Sequence, residues 1–546
     1  MSSLNPISGP LGHRKAKHLL RRVTFNYSKA QIDILSEKTA QEAITYLLQN
    51  TSNKIAEPYD PQPTSNPDGY WLSSDKHPNE FDGQGRKKSH ITSIWWYNAI
   101  NQVSLKHKLT FFLHTCFTVG KDSGAGLSSH FFDHLQLLEF FALGNIKVLA
   151  KKITLDNSML DYLDNTNNNA NNPNENYGRE YLELFTILKG DQKGDGDYTN
   201  YTEQDVQQAA KVFSGFKTKN DRLTIDPDTN IPIGYANKNK HDSNDKIFSA
   251  AFENQVITGR DTVTGMYSEL DDFVEMIFAQ KATAISYARK LYRFFVKSEW
   301  DDEVEEKIIV PLSEILIQND FEIVPTVTAL FSSEHFFDDD DDNDSTNEII
   351  RSIVKSPLQL LSEICTLFDV EFPNPETDSL LFYRNFFQRF VHNSFLSSAG
   401  LSFFNPGSVA GYPAHYQEPD FDRHWFSSTT IISRYKLMES LIYSRNTIAW
   451  GEIYTVLDSI SFVKNNISNP SDPIELVKEI SGILYCENIN DDRVNYFVSQ
   501  LVDGYDNYYW TSEWLQYINN NDTLTVKSRL DKLLIAMVNA AEFQVM

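Results

Sequence analysis

The sequence predicts a mostly α protein: a multi-helix body in two lobes, with long loops and a small β-hairpin element. Apolar residues recur at helical spacing along most of the 546 residues, and 41% of the chain is hydrophobic, which is enough material for large buried cores. Short runs that favour paired strands occur only around 223–225 and 247–252. The net charge of −25 argues against nucleic-acid binding, which needs clustered lysine and arginine.

The N-terminal lobe is expected over residues 1–235. Capping residues and periodicity predict helices between 13 and 50, and a stretch rich in Pro, Asn, Asp and Gly at 51–90 predicts a long loop or arm. The helical pattern resumes at Thr92, and the run 108–117 is apolar almost all round, so we expect it to be buried. Further helices are expected at 128–143, 146–155, 157–163 and 202–213.

The C-terminal lobe is expected over residues 236–546. The acidic run 338–344 predicts a solvated linker, because like charges at this density repel one another. The aromatic-rich segment 402–427 predicts a long loop, which either lines a ligand cleft or is pinned to the helices by its own aromatics. Helices are expected at 271–279, 282–295, 304–318, 324–331 and 526–543.

The densest pattern of ionisable groups lies at 172–185. Asn172, Pro173 and Glu175 match a capping box with proline at the first helical position. At about 100° per residue one helix face carries Glu175, Asn176, Arg179, Glu180 and Glu183. Two interpretations stay open: a solvated charged face, or an inward face where carboxylates clamp Arg179 and one glutamate is a metal ligand or general base.

Three other places offer chemistry. His114 lies in the apolar run, either as a hydrogen-bonded core residue or as a ligand or acid/base that faces the glutamate helix. His241 and Asp242 form either an oriented imidazole or a turn. The loop with Asp191, Asp195 and Asp197 is either solvated or suited to Ca²⁺, although its spacing misses the EF-hand pattern.

These segments resemble one known family. The run 174–185, followed by 201–206 and 213–216, is similar to the signature of the large bacterial family known as DUF1800. Further resemblances, which together span nearly the whole chain, lie at 18–22, 111–117, 241–246, 291–295, 354–357, 404–413 and 542–543. In the Phe-Trp-His-Asn-His-Phe segment of the family the second histidine is replaced here by Cys116, and a thiolate can also bind metal. The resemblance implies membership of the family and not an activity.

Two functions of different classes are therefore predicted. The first is an enzyme, hydrolytic or oxidative, for which a bound divalent metal, Ca²⁺ or a transition metal, is one option. Its candidate catalytic residues are His114, Glu175, Arg179, Glu180, Glu183, His241, Asp242 and Lys246. Its candidate metal ligands are His114, Cys116, Glu180, Glu183, Asp191, Asp195 and Asp197. The second is a non-catalytic binding or assembly protein that recognises a protein or glycan partner, with the aromatic loop as the contact surface.

The expected location follows from what the sequence lacks. The N-terminus has no basic segment followed by an apolar one, so no secretory signal is predicted. No window reaches the roughly 18 apolar residues of a membrane helix. The three cysteines, Cys116, Cys365 and Cys486, are too far apart for a disulfide framework. We expect a soluble, cytoplasmic protein without membrane insertion.

Overall fold

The computed structural model describes residues 3–49, 55–59, 70–72, 83–339, 348–443, 447–448, 451–452 and 457–546. The predicted mostly α fold is confirmed, because helices account for most of these residues. Most of the stretch 51–90 and of the acidic run 338–344 lies outside the described residues.

The first ten helices span the predicted N-terminal lobe. They are α1 (Gly12–Val23), α2 (Lys29–Ser36), α3 (Ala40–Leu48), α4 (Gln84–Asn101), α5 (Lys106–Cys116), α6 (Ser128–Phe141), α7 (Ile146–Ile153), α8 (Asn157–Tyr162), α9 (Glu175–Glu180) and α10 (Glu203–Val212). Helix α9 widens at its end into a π-helical turn, Tyr181–Phe185. Helix α4 begins eight residues before the predicted position of Thr92.

The remaining helices follow residue 260. They are α11 (Val263–Phe278), α12 (Lys281–Phe295), α13 (Asp302–Val304), α14 (Val310–Gln318), α15 (Ile323–Ser332), α16 (Pro357–Leu367), α17 (Thr430–Tyr443), α18 (Ser459–Asn466), α19 (Pro473–Leu484), α20 (Asp491–Val502), α21 (Asn507–Asn520), α22 (Leu524–Val538) and α23 (Ala541–Gln544). Two further π-helical segments, Glu305–Ile309 and Leu381–Ser397, lie between them.

Short antiparallel pairs supply the small β element. They join β1 (Gln192–Gly194) to β2 (Asp197–Tyr198), β3 (Phe216–Lys217) to β4 (Tyr235–Ala236), β5 (Lys246–Ile247) to β6 (Val256–Ile257), and β7 (Thr447–Ile448) to β8 (Gly451–Glu452). The runs predicted to pair with each other do not. Ile225 bridges to Pro232, and Ile247 pairs with Val256, so each run finds a nearer partner.

One continuous hydrophobic cluster extends from Ile7 to Phe543 and crosses the expected lobe boundary after residue 235. Buried ions also link distant parts of the chain. Arg21 on α1 pairs with Glu363 on α16 at 2.7 Å, and Lys355 reaches the same carboxylate at 2.9 Å. The division into two lobes stays a prediction. No helix among the described residues has both the length and the apolar character needed to cross a membrane.

Candidate functional site

The signature segment forms a short helix that begins later than predicted. Asn174, not Asn172, is the cap, and its side chain accepts a hydrogen bond from the backbone N–H of Asn176 at 3.0 Å. The apolar face is buried, with the ring of Tyr177 4.7 Å from that of Phe213. At Gly178 an added Cβ would lie 3.0 Å from the Val206 carbonyl oxygen on α10. The absence of a side chain therefore lets the two helices touch.

The polar face of this helix lies at the surface. Arg179 makes a bidentate pair with Glu203 on α10, at 2.9 and 2.5 Å, while Glu175 lies 3.6 Å away. The Arg179 and Glu175 side chains are 35% and 41% exposed. Glu183 pairs with Lys189 at 2.6 Å and not with Arg179. This arrangement corresponds more closely to the solvated charged face than to the inward clamp.

Glu180 differs from its neighbours on that face. It is half-buried and forms no ion pair within the part of the chain that the structure describes. Burial, reinforced by the negative charge of Glu183, raises the pKa of Glu180 to about 6.

His241 and Lys246 are brought together around a glutamate that has no motif in the sequence. Asp242 takes part only through its backbone oxygen, which accepts from the Lys246 ammonium, while its carboxylate accepts from Asn244. The carboxylate of Glu269 on α11 contacts His241 Nε2 at 3.1 Å and accepts from the Lys246 ammonium. His241 Nδ1 lies 2.8 Å from the Ser214 carbonyl oxygen, and Glu269 and Lys246 are fully buried. Burial alone would raise the pKa of Glu269, but the hydrogen bonds from His241 and Lys246 hold it below its ordinary value. Every charged group in this network already has a partner, as expected of a structural element.

His114 lies apart from both groups. Its Nε2 is 3.1 Å from the Val119 carbonyl oxygen, and its ring centroid is 4.8 Å from that of Phe404 and 6.3 Å from that of His134. Burial, with the nearby charge of His134, lowers the pKa of His114 to about 3. The ring is therefore neutral at physiological pH and sits in an aromatic environment. It makes no direct contact with the glutamates of the signature helix.

Asp191 precedes the β1–β2 hairpin, Asp195 lies in its turn and Asp197 begins β2. Asp197 accepts from the backbone N–H of Glu203 at 3.2 Å and so supports the start of α10, and the loop is mostly exposed. Across the described ranges, no group of three or more His, Cys, Asp or Glu side chains is placed to hold a metal ion.

A pocket of about 260 Å³ lies where four of the family-like segments meet, and we call it the motif pocket. Its walls come from α5, the π-helical turn, α12 and the loop 402–427. Representative lining residues are Cys116, Leu184, Lys290, Arg293, Ala410 and Tyr416. Cys116 and the aromatic loop are separate candidates in the sequence, and the fold brings them to the same pocket.

Helix α12 holds the π-helical turn in place through three side chains. Lys290 donates to the carbonyl oxygen of Leu184 at 2.5 Å, Tyr287 donates to that of Phe185 at 2.7 Å, and Ser286 donates to that of Thr186. These carbonyls end a helix and lack partners within it. The result is a rigid wall in which a lysine ammonium is fixed at the pocket.

The motif pocket has a cationic edge. Arg289 is neutralised by Glu305 at 2.7 Å, whereas Lys290 and Arg293 form no ion pair with a carboxylate of the described residues. The Arg293 guanidinium lies 4.8 Å from the Trp300 ring centroid, which fixes its plane. Burial lowers the pKa of Lys290 and of Arg293 below their ordinary values. Both half-buried cations are therefore incompletely compensated.

Two other polar side chains of the pocket, Cys116 and His415, are uncharged at neutral pH. Burial raises the pKa of Cys116 to about 11, so the residue remains a thiol at neutral pH. Burial lowers the pKa of His415 to about 3, and its Nε2 is enclosed without a hydrogen-bond partner among the described residues. Neither side chain is an activated nucleophile or an effective base.

The aromatic loop is pinned to the helices by its own aromatic side chains, and one of its tyrosines borders the motif pocket. Phe403, Phe404, Tyr412 and Trp425 are buried and pin the loop to the helices. Tyr416, at the mouth of the motif pocket, remains 38% exposed.

Comparison with known proteins gives one match. The family model described as "Protein of unknown function (DUF1800)" matches residues 18–545. Neither the curated proteins nor the solved structures contain a match.

Proposed function

The chain belongs to the DUF1800 family, and we propose that it is a non-catalytic binding protein that holds a small anionic group in the motif pocket. The group is a carboxylate, phosphate or sulfate, either free or carried by a protein or glycan partner. The observation that carries the proposal is the pair Lys290 and Arg293, two half-buried cations without carboxylate partners among the described residues.

Charge supports this proposal. The protein carries a net charge of −25, so a pocket with incompletely compensated cations is opposite in sign to the molecule as a whole. In a partly desolvated site, a hydrogen bond between an ammonium or guanidinium and an anion contributes about 1.5–3 kcal/mol. An anion would restore the charge balance that the protein leaves incomplete.

The shape and remaining chemistry of the pocket support binding over catalysis. Phe112, Leu184, Leu188 and Phe294 offer apolar surface for the body of a ligand beside the cations. Cys116 and His415 lack the pKa values that a nucleophile or base requires near pH 7.

Titration of the purified chain with sodium phosphate, sulfate and acetate at constant ionic strength tests the proposal. We expect saturable binding by calorimetry, weakened about 10- to 100-fold by Lys290→Met or by Arg293→Met. Lys281→Met is the matched control, since this lysine lies on the same helix with its side chain 57% exposed. Absence of saturable binding, or equal affinity of Lys290→Met and Lys281→Met, would contradict the proposal.

One observation favours the enzymatic alternative. A half-buried Glu180 with a pKa of about 6 is suited to act as a general base near neutral pH. If it does, hydrolysis of a panel of chromogenic esters and glycosides would be detectable and would fall at least 100-fold in Glu180→Gln. Hydrolysis that Glu180→Gln leaves unchanged would remove this support.

A further inference from the structure

A second cleft, of about 700 Å³, lies between α6, α8 and the segment 218–220, and it shares no lining residue with the motif pocket. We infer that it binds a neutral polyhydroxylated ligand of the carbohydrate type, with Asp161 as the central acceptor. Its polar lining residues are Gln84, His130, Asp161, Thr218, Lys219, Asn220 and Tyr235. The inference does not depend on anion binding at the motif pocket.

The carboxylate of Asp161 is held from two sides and still reaches the cleft. His130 Nδ1 lies 3.2 Å from Oδ2, and Thr218 donates to Oδ1 at 2.9 Å. The Asp161 side chain is 27% exposed. A carboxylate offers about four acceptor positions, so about two remain for hydroxyl groups of a ligand.

The backbone at Gly126 packs tightly against the hydrogen-bonded pair of Asp161 and His130. A Cβ at Gly126 would lie 2.3 Å from Asp161 Oδ2 and 2.7 Å from His130 Nδ1, and its φ of +65° also favours glycine. The segment 218–220 is fixed as well, since the backbone N–H of Lys219 donates to Asn157 Oδ1 at 2.9 Å. The acceptor is therefore positioned before any ligand arrives, which lowers the entropic cost of binding.

His130 lines the cleft but is itself buried. His130 is only 1% exposed, and its Nε2 has no hydrogen-bond partner in the described part of the chain. His130 contributes to the cleft through Nδ1, which orients the Asp161 carboxylate.

The composition of the cleft favours a neutral ligand over an ion. Asp161 would repel an anion, and the ammonium of Lys219, 3.3 Å from Asp221, would disfavour a cation. Tyr235 is 39% exposed and presents a ring on which the C–H face of a sugar can pack. A sugar presents hydroxyl groups alternating with C–H surface. The carboxylate, amide and ammonium groups of the cleft are suited to hydrogen-bond to the hydroxyls, and the aromatic ring is suited to pack against the C–H surface.

An array of neutral and anionic oligosaccharides, probed with the full chain, tests the inference. We expect at least one neutral oligosaccharide to bind. In solution, Asp161→Asn should weaken that binding at least 10-fold and Tyr235→Ala at least 5-fold. Tyr508→Ala, at a tyrosine 77% exposed elsewhere, should change it by less than twofold.

Several results would overturn the inference. One is that no neutral oligosaccharide binds. Another is that the affinity of Asp161→Asn or of Tyr235→Ala for the oligosaccharide stays within twofold of that of the parent. Tyr235→Ala keeps the test valid if Asp161→Asn fails to fold, because the Tyr235 side chain is at the surface. Loss of binding in Lys290→Met would place the ligand in the motif pocket and would also overturn it. Failure to bind phosphate, sulfate or acetate would affect only the proposed function.

Discussion

Replacement of Glu269 by alanine removes the shared partner of His241 and Lys246. Both side chains are almost fully buried, so the substitution leaves an ammonium and an imidazole without their carboxylate. Loss of one partner from a buried ion pair costs about 3–5 kcal/mol. The backbone N–H of Arg260, which donates to Glu269 at 2.5 Å, loses its acceptor too, which adds about 1 kcal/mol.

The pH dependence of this contribution has a definite sign. The pKa of Glu269 lies below its ordinary value in the folded protein. The stabilisation is therefore fully present above the ordinary glutamate pKa of about 4.3, and it is lost as the pH falls through the lowered folded pKa. The difference between the parent and Glu269→Ala should accordingly be largest at neutral pH and shrink in acid.

Urea unfolding followed by tryptophan fluorescence measures the effect. The control is Glu275→Ala, on the same helix, where the side chain is 67% exposed and pairs with Lys147. An exposed pair contributes less than about 1 kcal/mol, so the control should unfold close to the parent. Coincident transitions for Glu269→Ala and Glu275→Ala at pH 7 would refute the assignment of the network as a structural element.

Three further predictions concern other parts of the chain. The pKa of Glu180 in the folded protein is raised to about 6, so ionisation of this side chain lowers the free energy of unfolding as the pH rises through that value. Glu180→Gln should therefore raise the melting temperature at pH 7.5 and have no effect on it at pH 4. Burial raises the pKa of Cys116 to about 11 and of Cys365 to about 12, so neither thiol should react with Ellman's reagent at pH 8 until the protein is unfolded. Gly178→Ala should lower the melting temperature because its Cβ meets the backbone of α10, whereas Gly482→Ala, with no atom within 4 Å, should not.

Local patterns in the sequence predicted the helices well. Thr39 caps α3 with Glu42 in a capping box, and the first turn of α10 has Thr202 and Asp205 in the same arrangement. The apolar run 108–117 lies almost entirely in the buried helix α5. Such features depend on residues only a few positions apart, so periodicity and capping suffice to find them.

Contacts between distant segments could not be predicted in the same way. The helical period showed which residues share a face with Arg179, but its main partner, Glu203, lies on another helix. Glu269, which organises the network of His241 and Lys246, has no local motif of its own. Helical spacing predicts which residues share a face, but it does not predict which residues of other segments contact that face.

The motif pocket shows the same limit. Cys116, Leu184, Arg293 and Ala410 belong to four separate segments whose meeting follows from the packing of the described chain. The resemblance to a family marked all four segments without indicating that they share a pocket. Lys290 in particular has no motif in the sequence, because its importance comes from the turn it caps and from the lack of a carboxylate partner in the described chain.

Anomalous scattering from a selenate-soaked crystal tests whether the motif pocket holds an anionic group. We predict an anomalous peak in the motif pocket with selenate oxygens within hydrogen-bond distance of Lys290 Nζ and the Arg293 guanidinium, absent from a soaked crystal of Lys290→Met. Selenate found only elsewhere on the protein, or retained unchanged in the Lys290→Met crystal, would contradict the claim.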